Sequence, residues 1–165
     1  MTADADGGDL AATAIGLLVR RQLTVGTGES ITGGLIAAAL TSVPGASAVF
    51  LGGIVAYSAA VKAALLGVPG AVLGQVGTVH PDVAAAMALG VRDRLGADLA
   101  VAVTGVAGPE PVDGHPVGTV HIALASGDAV RHLPLALTGT RAQIRHEVVR
   151  HALRLLVAAL LEDNS

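Results

Sequence analysis

The sequence contains no cysteine and no tryptophan, and it has a single phenylalanine, a single tyrosine and a single lysine. Without cysteine the chain forms neither disulfides nor thiolate metal sites, which suits the reducing environment of the cytoplasm. The first six residues, from Met1 to Asp6, are acidic where a secretory signal is basic. We therefore expect a cytoplasmic protein.

Positive charge and aromatic side chains are both too scarce for a nucleic-acid partner. The net charge is −3 and the basic residues form no run, so no electrostatic surface for phosphates is indicated. With one Phe and one Tyr there are no stacking platforms for bases.

The six histidines lack the spacing of metal ligands, because His146 and His151 are five residues apart and no His-Glu-x-x-His is present. We predict no metal.

A long uncharged stretch runs from Ile31 to Val61, which raises the question of a membrane span. A spanning helix needs about 20 consecutive apolar residues. Here Gly33-Gly34, Pro44-Gly45 and Gly52-Gly53 divide the stretch into shorter pieces bounded by turn residues. Such pieces are typical of the buried helices and strands of an α/β core, so no membrane partner is expected.

Helical and strand patterns alternate along the chain. Apolar spacing predicts helices over 9–23, 32–41, 59–66, 81–95 and 140–161, and strands over 24–26, 50–57, 98–104, 118–125 and 130–137. The last two strands are joined by Ser126-Gly127-Asp128 as a hairpin. The pattern predicts an α/β fold with helices on both faces of one mixed, mostly parallel sheet. All 165 residues fit one domain, with residues 1–8 as a flexible tail.

The single lysine, Lys62, is the most informative residue, because the other nine basic side chains are all arginine. Arginine keeps its proton in proteins, whereas a desolvated lysine can lose it and act as a general base. Lys62 lies in the apolar segment Ala-Ala-Val-Lys-Ala-Ala-Leu-Leu, which offers such surroundings. The alternative is a surface lysine that extends from an amphipathic helix.

Two nearby serines are candidates for the nucleophile. Ser58 lies four residues before Lys62, so both could share one helix face. Ser47 follows the tight turn Pro44-Gly45, where a hydroxyl is easily presented to a substrate. The spacing alone does not choose between them.

Three further segments offer ligand contacts. The segment from Thr27 to Gly34 runs from a strand into a helix, whose free N–H groups suit a phosphate, although it is neither a Walker loop nor a dinucleotide fingerprint. The loop from Thr104 to Pro109 leaves the clearest strand and could supply an oxyanion donor. Arg141 and Arg145 are one helical turn apart and could clamp a carboxylate or phosphate. Each segment could equally be purely structural.

Taken together and in order, five motifs resemble the CinA C-terminal domain family, which includes stand-alone nicotinamide mononucleotide deamidases. The motifs are Gly28–Gly34, Val43–Gly53, Tyr57-Ser58 with Lys62, Thr104–Pro109 and Pro116–Val120. The resemblance implies a three-layer α/β/α domain, usually a homo-oligomer, that takes a nucleotide as its small-molecule substrate. The implied reaction converts nicotinamide mononucleotide and water to nicotinate mononucleotide and ammonia, with no cofactor.

The resemblance also implies roles for individual residues. Ser47 would be the nucleophile, which decides against Ser58, with Lys62 as its base and Tyr57 as a proton relay or orienting group. The residues expected to bind substrate are Ser30, Thr32, Gly33, Gly34, Thr104, Gly105 and Arg141.

The chain departs from the family pattern at three places. Ala59 and Ala60 stand where Asn-Glu is common, and Thr140 stands where an Asp is common. The loop from Glu110 to His115 reads Glu-Pro-Val-Asp-Gly-His, where the family loop is usually glycine-rich and carries a lysine. These departures leave two alternatives to the deamidase: a nucleotide-binding or regulatory domain without turnover, and an amidase for another small carboxamide.

Overall fold

A computed structural model describes residues 4–162 of the chain. Helix α1 already includes residues 4–8 of the predicted tail, and residues 1–3 lie outside the described part. The helices and strands are α1 (Asp4–Arg21), β1 (Val25–Glu29), α2 (Leu35–Thr41), β2 (Phe50–Val55), α3 (Ala59–Leu66), α4 (Gly70–Val76), α5 (Pro81–Leu95), β3 (Leu99–Gly105), β4 (Thr119–Ser126), β5 (Ala129–Ala136) and α6 (Arg141–Glu162).

The five strands form one sheet in the order β2-β1-β3-β4-β5. Strands β2, β1 and β3 are parallel, whereas β4 and β5 continue the sheet as antiparallel neighbours. The predicted mixed sheet and its hairpin are therefore confirmed. The parallel portion is smaller than expected, since two of the four strand pairings are parallel and two are antiparallel.

Helices cover both faces of the sheet and create two apolar layers. One layer joins α1, α2 and α6 to the sheet and includes the buried Leu18, Ile36 and Leu153. The other joins α3 and α5 to the opposite face and includes Met87 and Val91. Because β3 is covered on both sides, its sequence is continuously apolar up to Thr104 instead of alternating.

Two glycines allow the second layer to pack closely. A Cβ atom on Gly28 of β1 would lie 2.7 Å from Val91 of α5, and one on Gly90 would lie 1.9 Å from the Leu66 carbonyl of α3. Only glycine permits these approaches of backbone to helix. As a result, α5 lies directly against β1, α3 lies directly against α5, and the carboxyl end of β1 comes close to the start of α3.

Several predicted helix boundaries agree with the structure. Helices α3 and α5 have the predicted bounds, and Thr140 caps α6, where Gln143 N–H donates to Thr140 Oγ1 and Thr140 N–H donates to Gln143 Oε1. Helix α4 was not predicted, because it contains two glycines and buries no residue, so it has no apolar face to recognise. Within residues 4–162 no helix combines the length and apolarity needed to cross a membrane.

Candidate active site

Lys62 is buried, with only 1% of its surface exposed, and it is among the largest fully buried side chains. Its Nζ donates to Ser30 Oγ at 2.8 Å, to the Ala56 carbonyl at 2.9 Å and to the Tyr57 carbonyl at 3.1 Å. Among the ion pairs of the described residues none involves Lys62. The Lys62 amine therefore donates to three neutral acceptors, and no carboxylate pairs with it to stabilise its charge.

The position of Lys62 in helix α3 explains these contacts. Helical side chains point toward the N-terminus of their helix, so Lys62 reaches back past the Ser58 cap to the carbonyls that precede it. Burial of the amine disfavours its charged form and lowers the pKa of Lys62 to about 8. About a quarter of the molecules would then carry the neutral amine at pH 7.5. Burial has therefore made a neutral Lys62 amine accessible near neutral pH.

Ser30 follows β1 directly and is held by the neighbouring strand. Its N–H donates to the Val103 carbonyl of β3, and its own carbonyl accepts from Gly33 N–H. Gly33 and Gly34 have φ values of +61° and +103°, which glycine adopts without strain. These two residues turn the chain from β1 into α2 and leave the Ser30 hydroxyl aimed at Lys62.

The turn after β1 is organised by Glu29, a buried carboxylate that sequence reasoning overlooked. Its oxygens accept from Thr32 Oγ1 at 2.6 Å, from Gly34 and Ile36 N–H at 3.0 Å and from Ala37 N–H at 2.8 Å. These are the amides at the start of α2 that were predicted to hold a phosphate. The predicted phosphate site is therefore already filled by a carboxylate of the chain itself.

The same turn is held from its other side by Arg145. The Arg145 guanidinium donates to the Ile31 carbonyl at 3.1 Å and to the Thr32 carbonyl at 2.9 Å. Of the predicted binding residues in this segment, Thr32 and Gly34 thus contact Glu29, and the Thr32 carbonyl contacts Arg145. The segment supports Ser30 from both sides.

Ser30 and Lys62 open into a small cavity at the carboxyl ends of β1, β2 and β3. Its volume is about 150 Å³. The lining residues are Ser30, Ile31, Tyr57, Lys62, Thr78, Val79, Thr104, Gly105, Val106, Ala107, Gly108, Glu110, Val112 and Arg141. The parallel strands bring their carboxyl ends to one edge of the sheet, where α/β folds commonly bind ligands.

Tyr57 and Arg141 form the exposed side of this cavity. The Tyr57 side chain is 61% exposed, and its hydroxyl accepts from Arg141 Nη2 at 3.0 Å. Arg141 Nη1 donates to the Gly108 carbonyl at 2.6 Å. Two of the five N–H donors of Arg141 are thus used in the described residues, and they hold the guanidinium at the cavity.

Thr104 and Gly105 lie in the cavity wall, at the end of β3. The Thr104 side chain is buried, and its hydroxyl donates to the Thr78 carbonyl at 2.7 Å. Gly105 pairs with Val120 of β4. The N–H of Val106 is not available as an oxyanion donor, because it donates to the Thr119 carbonyl.

The two serines proposed from the sequence lie elsewhere. Ser58 caps α3 by accepting from Val61 N–H. Ser47 is exposed in a short 3-10 helix, Ala46–Ala48, and lines a separate, open depression together with Val43, Pro44 and Phe50. The three hydrogen bonds of Lys62 go to other residues, so the structure does not bring Ser47 to its expected base. Ser30, predicted only to bind substrate, occupies that position instead.

The histidines form no cluster of metal ligands. In residues 4–162 no group of three or more His, Asp or Glu side chains is arranged to hold a metal ion. His121 and His132 face each other on β4 and β5, with His121 Nδ1 3.0 Å from His132 Nε2. Burial, together with the charge of His132, lowers the pKa of His121 to about 4, so this ring is neutral near pH 7.

Part of this site could have been found in the sequence. Glu29 at the end of a strand offered a carboxylate that could cap the next helix, which would have argued against a phosphate site at the start of that helix. Thr78 and Val79 carried no signal, because they lie in an irregular segment far from the other lining residues in sequence.

Comparisons with known proteins agree with this architecture. A CinA-like protein of Frankia casuarinae is 53% identical over 142 residues, which cover 86% of this chain and 33% of that protein. The crystal structure of the competence/damage inducible protein CihA from Agrobacterium tumefaciens superposes with a TM-score of 0.90 at 41% identity, covering 93% of this chain and 94% of that one. A CinA-superfamily structure from Klebsiella pneumoniae gives a TM-score of 0.92 at 30% identity, covering 94% and 98%.

The comparisons also define the extent of the likeness. The chain spans about a third of the length of the curated relatives it matches, such as the Frankia protein and a CinA-like protein of Desulfotalea psychrophila. The CinA C-terminal domain family matches residues 8–160. The three-layer fold and the matched length lead to one conclusion: this chain belongs to the CinA C-terminal domain family.

Proposed function

We propose that the chain hydrolyses the carboxamide of nicotinamide mononucleotide to nicotinate mononucleotide and ammonia, with Ser30 as the nucleophile and Lys62 as its base. The observation that carries this proposal is the 2.8 Å contact between Lys62 Nζ and Ser30 Oγ at the wall of a small cavity. A nucleophile and a base within hydrogen-bond reach are the minimum for acyl transfer without a metal.

The backbone carbonyls of Ala56 and Tyr57 orient the Lys62 amine toward Ser30. The Ala56 and Tyr57 carbonyls each take one hydrogen of the Lys62 amine. In the neutral amine, which has only two hydrogens, the lone pair is then left facing Ser30 Oγ. The hydroxyl can donate to this lone pair, and that is the arrangement required for removal of its proton.

The reaction proceeds through two transfers. Ser30 Oγ attacks the carboxamide carbon while its proton passes to Lys62 Nζ. The protonated Lys62 side chain then gives this proton to the leaving nitrogen. The C–N bond breaks, ammonia departs, and a nicotinoyl ester remains on Ser30. A water molecule attacks the ester, again giving its proton to Lys62, and the proton returns to Ser30 as the acid leaves.

The developing oxyanion of both steps needs a hydrogen-bond donor. We assign this role to the backbone N–H of Ile31, which directly follows the nucleophile and lines the cavity. The amide next to a nucleophilic serine plays this part in other serine hydrolases. Thr104, whose hydroxyl is already engaged with Thr78, shapes the wall beside the carboxamide.

Cavity size and charge support a pyridine nucleotide as the substrate. A cavity of about 150 Å³ is known to hold one benzene ring, so the cavity here suits a single six-membered ring. Arg141 lies at its exposed side, where a guanidinium can bind the nucleotide phosphate in bidentate fashion. The ring enters and the phosphate stays outside.

One observation favours a related candidate, an amidase for a different small carboxamide. Glu110 and Val112 lie in the loop that departs from the family pattern, and both line the cavity. By contrast, Ala59 and Ala60 are exposed at the start of α3 and are not lining residues. The departures near Lys62 therefore give no structural support to a domain without turnover.

Ammonia release from nicotinamide mononucleotide by the purified chain tests the proposal. We expect equal amounts of ammonia and nicotinate mononucleotide, with a nicotinoyl adduct on Ser30 detectable by mass spectrometry after rapid quenching. Binding of the nucleotide without ammonia would favour a regulatory domain. Turnover of other carboxamides, with none of this nucleotide, would favour the second amidase.

We also propose that the protein acts in the cytoplasm as a homo-oligomer. The absence of cysteine supports the first point. The second is supported by edge strand β2, which exposes Leu51 and Val55. Light scattering coupled to size-exclusion chromatography would reveal a monomer if this is incorrect.

A further inference from the structure

Two irregular segments form the cavity wall away from Ser30 and Lys62. Thr78 and Val79 belong to the segment between α4 and α5, and Glu110 and Val112 belong to the loop between β3 and β4. The three hydrogen bonds of Lys62 Nζ go to residues outside both segments. Their relative position nevertheless determines how wide the cavity is.

Asp113 joins these two segments. Its Oδ2 accepts from the Thr78 N–H at 2.7 Å and from the Thr78 hydroxyl at 3.0 Å. The Thr78 carbonyl in turn accepts from Thr104 Oγ1 at 2.7 Å. A continuous chain of hydrogen bonds thus runs from the loop through Thr78 to the buried end of β3.

The backbone around this contact is arranged to admit the carboxylate. Asp113 has a φ of +51°, a conformation that is uncommon for residues other than glycine. Gly77 has a φ of +74°, and a Cβ atom there would lie 2.5 Å from Asp113 Oδ2. Hydrogen bonds from Thr78 lower the pKa of Asp113, so the carboxylate is charged near neutral pH.

We infer that Asp113 is a positioning residue that fastens the β3–β4 loop to the Thr78 segment and thereby keeps the cavity at the width of one ring. It controls how well the substrate binds and leaves the chemistry of Ser30 and Lys62 unchanged. The inference rests on the proposed function for its kinetic test, but the fastening itself can be measured without turnover.

The chain contains a matched control for this contact. Asp98 Oδ2 accepts from Thr24 N–H and from Thr24 Oγ1, both at 2.7 Å, and these bonds also lower the pKa of Asp98. Like Asp113, Asp98 is exposed. It lies before β3, at the amino ends of the parallel strands, which is the opposite edge of the sheet from the cavity.

The experiment compares Asp113→Ala with Asp98→Ala in the full chain. For ammonia release from nicotinamide mononucleotide, Asp113→Ala should raise KM about tenfold with kcat changed less than about threefold, because only binding geometry is disturbed. Asp98→Ala should leave both constants near those of the wild type. Asp113→Asn keeps an acceptor oxygen and should recover most of the loss.

Other patterns would overturn the inference. These are an unchanged KM in Asp113→Ala, a fall confined to kcat, an equal KM effect in Asp98→Ala, or no recovery in Asp113→Asn. Hydrogen exchange supplies a readout without turnover, because the Thr78 amide should lose protection in Asp113→Ala alone. If the wild type releases no ammonia but the Thr78 amide still loses protection in Asp113→Ala, the proposed function is wrong and the role of Asp113 in fastening the loop stands. If the Thr78 amide keeps its protection in Asp113→Ala, Asp113 does not fasten the loop.

Discussion

Ser30 precedes a turn that contains Gly33 and Gly34, whereas Ser47 follows a turn that contains Gly45, and the surroundings of the two serines differ. Ser30 is 6% exposed and shares a hydrogen bond with a buried amine. Ser47 is exposed, and its hydroxyl makes no hydrogen bond to another described residue. The comparison shows that exposure of a hydroxyl does not by itself place it beside a basic group. What distinguishes Ser30 is a hydrogen bond to the buried Lys62 amine, whose pKa is lowered by burial.

The strongest test of this comparison replaces each serine by alanine. Ser30→Ala should lower kcat about 10⁴-fold, because the acyl-enzyme can no longer form. Ser47→Ala should change kcat less than about twofold, since no reacting group is removed. Steady-state ammonia release measures both. A large loss in Ser47→Ala with an active Ser30→Ala would reverse the assignment.

The second test removes the base from the Ser30 region and keeps its charge. Lys62→Arg should lower kcat about 10³-fold, because the guanidinium stays protonated and cannot accept the serine proton. Lys62→Met supplies the uncharged control, and circular dichroism confirms that both variants fold. An active Lys62→Arg variant would exclude Lys62 as the base.

The third test measures how kcat/KM depends on pH in the wild type and in Ser47→Ala. Since the pKa of Lys62 is about 8, its neutral form becomes scarcer as pH falls below that value. We expect kcat/KM to decrease about a hundredfold from pH 9 to pH 6, with a plateau above the pKa. Ser47→Ala should show the same profile. A flat profile through pH 8 would mean that no group with this pKa takes part.

The smallest expected effect concerns Arg141, at the exposed side of the Ser30 cavity. Arg141→Ala should raise KM for nicotinamide mononucleotide about tenfold, through loss of a phosphate contact. The KM for nicotinamide, which has no phosphate, should stay unchanged. Arg131→Ala, which removes a partly exposed arginine paired with Glu162, is the control. Equal increases for both substrates would indicate a damaged cavity instead of a lost phosphate contact.

Much of the fold could be predicted from local signals. Helices α3 and α5 end at glycines in left-handed conformations, and Pro81 occupies the first turn of α5. These glycine and proline residues were sufficient to predict the bounds of both helices from the sequence. The start of α2 was placed three residues early, at Thr32. In the structure Thr32 donates its hydroxyl to Glu29, and α2 begins at Leu35.

The site was harder to predict, because its contacts join residues that are distant in sequence. Lys62 could be singled out in the sequence, because all the other Lys and Arg positions of the chain are arginine. Its partner, Ser30, lies 32 residues away, and their contact depends on how closely α3 packs against α5. Sequence spacing pointed to Ser58, and the family resemblance was taken to imply Ser47. The link between Asp113 and Thr78 spans 35 residues and left no pattern at all.

Glu29 has a practical consequence for the design of ligands. In many α/β proteins an anionic group gains affinity at the first turn of a helix, but here a carboxylate of the chain already occupies the start of α2. A phosphonate or carboxylate aimed at that turn would meet like charge and would gain nothing. Compounds should instead carry their acidic group on the Arg141 side and keep the end beside Ser30 neutral.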